Sequence, residues 1–162
     1  MVELAPVTDA DLTAIKEVYD HYIATTTATF HEEPVPLGKL REFVPVDDPR
    51  HPSFVVRSGV AFAGFCCLSP SKKRSAYDRT AELSVYLRPE FTGRGLGRGA
   101  LEHLEGAAIA AGIRVLVGTF CGENEAGLRF MERCGYTRCG HLRNVGEKFA
   151  RILDVVLYQK EL

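Results

Sequence analysis

The sequence predicts an α/β chain of the α+β kind: a mixed, mostly antiparallel central sheet of about seven strands, flanked by about four helices. Three observations predict it. An alternating stretch, Ala81 to Leu87, runs into a glycine-rich turn, and a helix-like stretch, Ala100 to Ala111, follows. Hairpin-like apolar segments precede this unit, and two alternating segments, Thr137 to Val145 and Phe149 to Gln159, close the chain. No repeat, linker or low-complexity tract intervenes, so residues 1–162 read as a single domain.

Taken in order, Val2 to Val7 reads as a strand. Thr8 with Asp11 gives a capping-box start to a helix that carries Leu12, Ile15, Val18 and Tyr22 on one face. Much of residues 24 to 53 is loop, punctuated by prolines, with a second short helix over Leu37 to Phe43. Phe54 to Arg57, a Ser58-Gly59 turn and Val60 to Leu68 make a hairpin, and polar residues Ser69 to Ser75 cross to the strand Thr80 to Leu87. The helix after the glycine turn presents Leu101, Leu104, Ala108 and Ile109. Val115 to Phe120 reads as a buried strand, and Asn124 opens a helix that ends near Gly135. The two closing strands are expected to join at Gly146-Glu147.

Composition excludes several function classes. The chain is 46% hydrophobic and 25% charged, with a formal net charge of −1 and the signs interspersed. It carries no basic stripe for a nucleic acid or a membrane surface. The N-terminus lacks a basic and apolar leader, and Val60 to Leu68 is too short to span a bilayer, so a cytoplasmic protein is expected. The five cysteines have no CxxC spacing and are expected as reduced thiols, with Cys66 and Cys67 on opposite faces of a strand. Cys134, Cys139 and His141 lack zinc-site spacing, and no metal is expected.

The chemistry concentrates in Glu90 to Leu101. Gly93, Gly95, Gly97 and Gly99 have no β-carbon, so backbone N–H groups can converge on one ligand, while the next helix adds its positive end and Arg94 and Arg98 add charge. A pyrophosphate fits such a cradle. Gly95-Leu96-Gly97-Arg98-Gly99-Ala100 also satisfies the dinucleotide pattern of an oxidoreductase. That fold wants an acid at the end of the next strand, where Gly118-Thr119-Phe120 stands.

Element order and the frame Thr92-Gly93-Arg94-Gly95-Leu96-Gly97 resemble the GNAT superfamily of acyl-CoA-dependent N-acetyltransferases, with Thr92 where Gln or Arg is usual. The chain is similar in particular to the phosphinothricin and methionine sulfoximine acetyltransferase branch. That likeness is carried by His21 to Thr26, Arg74-Ser75-Ala76-Tyr77, Thr80 to Tyr86, Gly146 to Phe149 and Leu153-Asp154-Val155. The resemblance implies a GNAT fold, acetyl-CoA as co-substrate, a small amine or amino acid as acceptor, and a homodimer.

It also implies roles. Glu82 stands where the family carries its proposed general base, and strand alternation sets it on one face with Ser84 and Tyr86, opposite Ala81, Leu83, Val85 and Leu87. A β-bulge near the end of this strand is expected to free backbone N–H groups of Val85, Tyr86 and Leu87 for the thioester carbonyl. Thr92, Gly93, Arg94, Gly95, Leu96, Gly97 and Arg98 are the cofactor loop, and Asn124 faces the pantetheine arm or caps its helix. Phe30, Arg74, Tyr77 and Tyr86 are implied for the acceptor, and so are Lys148 and Phe149, which with Asp154 belong to a C-terminal motif that the implied two-fold dimer brings near the partner's site; Arg74 has the planar fork that suits a carboxylate. Met131 and Gly127 depart from the family's Tyr or His and its Ser, which leaves the general acid open among solvent, Tyr136 and Tyr158. Asp78 is a further departure, since relatives more often carry a basic residue there. A non-catalytic acyl-CoA sensor is the alternative.

Overall fold

A computed structural model of the chain describes residues 2–162. The strands are β1 (Val2–Pro6), β2 (Ser53–Ser58), β3 (Ala61–Pro70), β4 (Thr80–Leu87), β5 (Val115–Cys121), β6 (Thr137–Lys148) and β7 (Arg151–Glu161). They form one seven-stranded sheet in the order β1-β2-β3-β4-β5-β7-β6. Every neighbour pair is antiparallel except β4 and β5. The helices are α1 (Leu12–Thr25), α2 (Leu96–Ala110), α3 (Glu125–Arg133) and a six-residue 3₁₀ helix, Leu37–Glu42.

Two apolar layers sandwich the sheet. On one face Ala81, Leu83 and Leu87 of β4 pack with Ala100, Leu101 and Leu104 of α2; on the other Ile15, Val18 and Ile23 of α1 pack with Val55, Phe65 and Cys67. Cys66 and Cys67 go to different layers, as strand alternation requires. All five cysteines are free thiols. The helix entry is as read: the Thr8 amide and hydroxyl both donate to the Asp11 carboxylate, at 2.9 Å and 2.7 Å.

Three differences from expectation bear on the fold. Helix α2 begins at Leu96, inside the glycine stretch rather than after it, because Gly95 at φ +81° turns the chain directly into helix. Ile109 is 52% exposed, so the apolar face of α2 ends at Ala108. The last hairpin turns at Phe149 and Ala150, with φ of +53° and +56°, and not at Gly146-Glu147. Gly146 serves packing instead: a Cβ there would meet the Phe30 ring at 2.8 Å. The Phe149 ring lies against the Lys148 ammonium (5.1 Å) and the Arg151 guanidinium (6.0 Å), contacts that help hold this glycine-free turn.

Among the described residues no helix is long and apolar enough to cross a membrane.

Candidate active site

The site begins with two parallel strands that part. Pairing of β4 with β5 covers only Thr80 to Glu82 against Val115 to Val117. The Arg88 amide donates to the Ala63 carbonyl at 2.8 Å, which makes Gly64–Leu87 a non-hydrogen-bonded pair of the β3–β4 ladder. By alternation the amides of Val85 and Leu87 then face β5, beyond the point where that ladder has ended. The Leu87 carbonyl, facing the same way, accepts a 2.6 Å hydrogen bond from the Tyr22 hydroxyl. The bulge expected in β4 is not there: its register with β3 is continuous from Leu87 to Ala81. The free amides come from divergence of the strands, and the irregular register lies between β2 and β3 at Val56/Arg57.

A cavity of about 770 Å³ occupies the gap. Glu82, Ser84, Val85 and Tyr86 line it from β4, Thr119 and Phe120 from β5, and Asn124 and Met131 from the α3 side. Glu82 is half-buried on the wall that alternation predicts. The lining contains no lysine and no arginine.

The glycine loop abuts this gap, and Thr92 lines it. Gly93 and Gly95 have φ of +72° and +81°, a region that costs other residues energy, and Gly95 is the N-cap of α2. The amides of Leu96, Gly97 and Arg98 in the first helical turn therefore lack intrahelical acceptors, which is the geometry of an anion site. Gly99 plays another part: its amide donates to the Gly95 carbonyl at 3.2 Å, and a Cβ on it would meet Val2 Cγ1 at 2.6 Å. Four alternate glycines thus resolve into two for loop geometry, one in the first helical turn and one for close packing on β1. Arg94 lies over the Phe91 ring at 5.5 Å, Arg98 pairs with Glu102 at 3.1 Å, and the Thr92 hydroxyl donates to the Pro89 carbonyl at 2.8 Å.

Asn124 caps α3, its Oδ1 accepting from the Gly127 amide at 3.1 Å. A Cβ on Gly127 would meet the Asn124 Nδ2 at 2.7 Å, so glycine at that position is what lets the capping amide lie where it does. Met131 is fully buried and lines the cavity. Tyr136 and Tyr158 are corrected as acid candidates. They donate to Glu105 (3.1 Å) and Glu132 (2.7 Å), and neither lines the cavity. Burial first, and then the neighbouring carboxylate, pushes both hydroxyls above the ordinary tyrosine range. Cys67 does reach the cavity, but burial pushes its thiol up to about 12, so it stays protonated and is no nucleophile at neutral pH.

On the acceptor side the structure brings only part of the predicted set together. Phe30 and Tyr86 line the cavity. Arg74 and Tyr77 stack on each other at 5.6 Å on the exposed β3–β4 connection, outside the lining. The backbone carbonyl of Asp78, beside them, accepts from Arg50 at 2.7 Å, and its carboxylate lies 3.7 Å from the same guanidinium. Lys148 is corrected from substrate contact to internal strut. It is 1% exposed, and its ammonium donates to the carbonyls of Thr26 and Thr29. Phe149 sits at the hairpin tip, away from the cavity.

Sequence reasoning missed Tyr19, His31, Glu42 and Phe43, all of which line the cavity. Tyr19 stands on the α1 face between Ile15 and Tyr22, His31 lies in the loop after α1, and Glu42 and Phe43 end the 3₁₀ helix, where so short an element gives no periodic signal.

A divergent strand pair, free amides on the inner strand and a helix start with free amides on its C-terminal side narrow the possibilities. The sheet itself removes the dinucleotide-binding alternative, since β5 pairs β7 antiparallel where that fold continues in parallel. A model of the Acetyltransferase (GNAT) family matches residues 15–136. The chain is 34% identical to phosphinothricin N-acetyltransferase of Streptomyces viridochromogenes over 99% of its own length and 87% of that protein. It is 30% identical to the L-methionine sulfoximine/L-methionine sulfone acetyltransferase of Pseudomonas aeruginosa, over 94% of its length and 90% of that protein. A GNAT superfamily phosphinothricin acetyltransferase from Sinorhizobium meliloti, solved with acetyl-CoA, superposes with a TM-score of 0.92 at 28% identity, over 99% of this chain and 88% of that one. Gap, loop and kinship converge: the chain belongs to the GNAT family of acetyltransferases.

Proposed function

We propose that this chain transfers an acetyl group from acetyl-CoA to the α-amino group of a small amino acid or amino acid analogue, of the phosphinothricin or methionine sulfoximine kind, by direct attack. The observation that carries the reading is the half-buried Glu82 on the wall of a gap whose inner strand has unpaired amides and runs straight into an anion-binding helix start. Acetyl-CoA supplies the acetyl group on a thioester. The amides of Leu96, Gly97 and Arg98 hold its diphosphate, with Arg94 and Arg98 adding charge, and Asn124 offers Nδ2 to the pantetheine arm.

An α-amino group has a pKa of roughly 8 and is mostly charged at neutral pH. Glu82 takes that proton, directly or through one water, and leaves the amine lone pair free to attack. The Val85 and Leu87 amides stabilise the negative charge that develops on the carbonyl oxygen. With Met131 in place of a hydroxyl, the departing thiol takes its proton from solvent. Arg74, exposed on the β3–β4 connection and outside the cavity lining, is the guanidinium proposed for the acceptor's carboxylate.

The protein works as a cytoplasmic homodimer in this reading. Leu142, Val145, Phe149 and Ile152 of the β6–β7 hairpin are apolar and between 46% and 60% exposed, surface that a second copy would cover. A monomer in sedimentation retires that part of the proposal.

The test is thiol release from acetyl-CoA across a panel of free amino acids, beginning with methionine sulfoximine, its sulfone and phosphinothricin. Release with at least one amine supports catalysis. Tight acetyl-CoA binding without release for any amine favours the sensor.

A further inference from the structure

Side chains tie the two walls of the gap where backbone pairing does not. Past Glu82 the β4–β5 ladder has ended. On one side the Tyr22 hydroxyl fixes α1 to the Leu87 carbonyl of β4, at 2.6 Å, and α1 leads into the loop whose Ala28, Phe30 and His31 line the cavity. On the other side β5 leads into α3, and Thr119, Phe120 and Asn124 line the opposite wall. Between the two stands Glu123. Its Oε1 accepts from the Thr27 hydroxyl at 2.8 Å and from the Arg151 guanidinium at 2.6 Å, while the Gly122 amide beside it donates to the Asp154 carbonyl at 2.9 Å. One carboxylate oxygen thus joins the acceptor loop to the residue next to Asn124 and to the final hairpin.

Little of the fold's stability rests on this bridge. The Glu123 and Arg151 side chains are 42% and 53% exposed, and ion pairs so open to water contribute little. The loop backbone is already held by Lys148 on the carbonyls of Thr26 and Thr29. What the Thr27–Glu123 bond adds is a fixed spacing between the walls. Acyl transfer needs the amine nitrogen and the thioester carbon brought to about 3–3.5 Å, and a misplacement of about 1 Å can cost about 10²-fold in rate.

Building on the acetyl-transfer reading above, we propose that Glu123 is a positioning residue. Through Thr27 it sets the width of the gap, and so the distance between an amine on the acceptor side and a thioester laid along β4. It does not line the cavity itself. Its effect falls on turnover rather than on binding, because the diphosphate is gripped at the start of α2 and the loop keeps its Lys148 bonds.

The experiment compares the full chain with Thr27→Val, Thr27→Ser, Glu123→Ala and the double variant Thr27→Val with Glu123→Ala. Acetyl-CoA is saturating, and so is whichever acceptor of the panel above gives the fastest thiol release. Thr27→Val, which trades a hydroxyl for a methyl, is expected to lower kcat about tenfold, with Tm within about 2 °C of wild type and KM for acetyl-CoA within about twofold. Thr27→Ser is expected to keep kcat within about twofold of wild type, and the double variant to be no slower than Glu123→Ala alone, as two members of one bond require. Wild-type kcat in Thr27→Val overturns the proposal, whatever its Tm. So do a loss that Thr27→Ser shares in full and additive losses in the double variant, all of which leave acetyl transfer standing. A wild-type chain that releases no thiol with any amine overturns the transfer reading itself, and this inference with it.

Discussion

The Lys148 ammonium, at the end of β6, donates 2.8 Å hydrogen bonds to the carbonyls of Thr26 and Thr29, tying the last hairpin to the loop that bears Ala28, Phe30 and His31. Burial pushes this amine below the ordinary lysine range, so the contact is held against a desolvation cost. Thr27 adds a second tie through Glu123 at 2.8 Å, and Glu123 is in turn held by Arg151 at 2.6 Å.

Lys148→Met leaves both carbonyls without their donor. The expected loss is about 2 kcal/mol, a fall in Tm of roughly 4–8 °C. Because the loosened loop walls the acceptor side, KM for the amine should rise while KM for acetyl-CoA holds. Steady-state kinetics with each substrate varied in turn distinguishes this from a general loss of fold, which moves both.

Glu82→Gln keeps the shape of the side chain and removes its basicity. A fall in kcat of about 10²–10⁴ is expected, with acetyl-CoA affinity nearly unchanged. Turnover at the wild-type rate, with a verified acceptor, would remove Glu82 from the mechanism.

Gly95→Ala strains a residue at φ +81° by roughly 1–2 kcal/mol and disturbs the first amides of α2. Coenzyme A binding by calorimetry should weaken about tenfold. Gly112→Ala is the control: its φ of +82° lies at the other end of α2, so it should lose similar stability and no affinity.

The pH dependence of stability has a predictable sign on the acid side. The Arg151 and Thr27 bonds hold the Glu123 carboxyl below its usual range, and the Asn144 amide with His141 does the same for Asp154. Both groups prefer the ionised form when folded. Their contribution is present above the unfolded carboxylate pKa of about 4 and is lost as pH falls through the lower folded values. Acid titration followed by circular dichroism should show this, with a shallower slope in Glu123→Gln. Glu123 is exposed and Asp154 partly so, and added salt should weaken the effect.

Thiol chemistry checks the absence of an acyl-enzyme. Cys139 is exposed and should alkylate in the native state, whereas buried Cys66, Cys67 and Cys121 should react only on unfolding. Mass spectrometry after incubation with acetyl-CoA and no amine should find Cys67 unmodified. Acetylated Cys67 would replace direct attack with a two-step route.

The sequence by itself determined what depends on near neighbours along the chain. Period-two alternation settles that Glu82, Ser84 and Tyr86 share a face of β4, and a glycine run between strand and helix settles that backbone amides gather at the start of α2. Only the tertiary structure decided who meets those groups. Whether β4 and β5 part, whether Lys148 is solvated or buried under Thr29, and whether Tyr136 turns toward Glu105 or the cavity depend on which distant segments pack together. The glycine expected to turn the chain at 146 instead lies within β6, where the Phe30 ring, far away in sequence, packs against the place a Cβ would take. Local periodicity sets the direction of a side chain, but its partner is chosen by packing between residues with no sequence relation to one another.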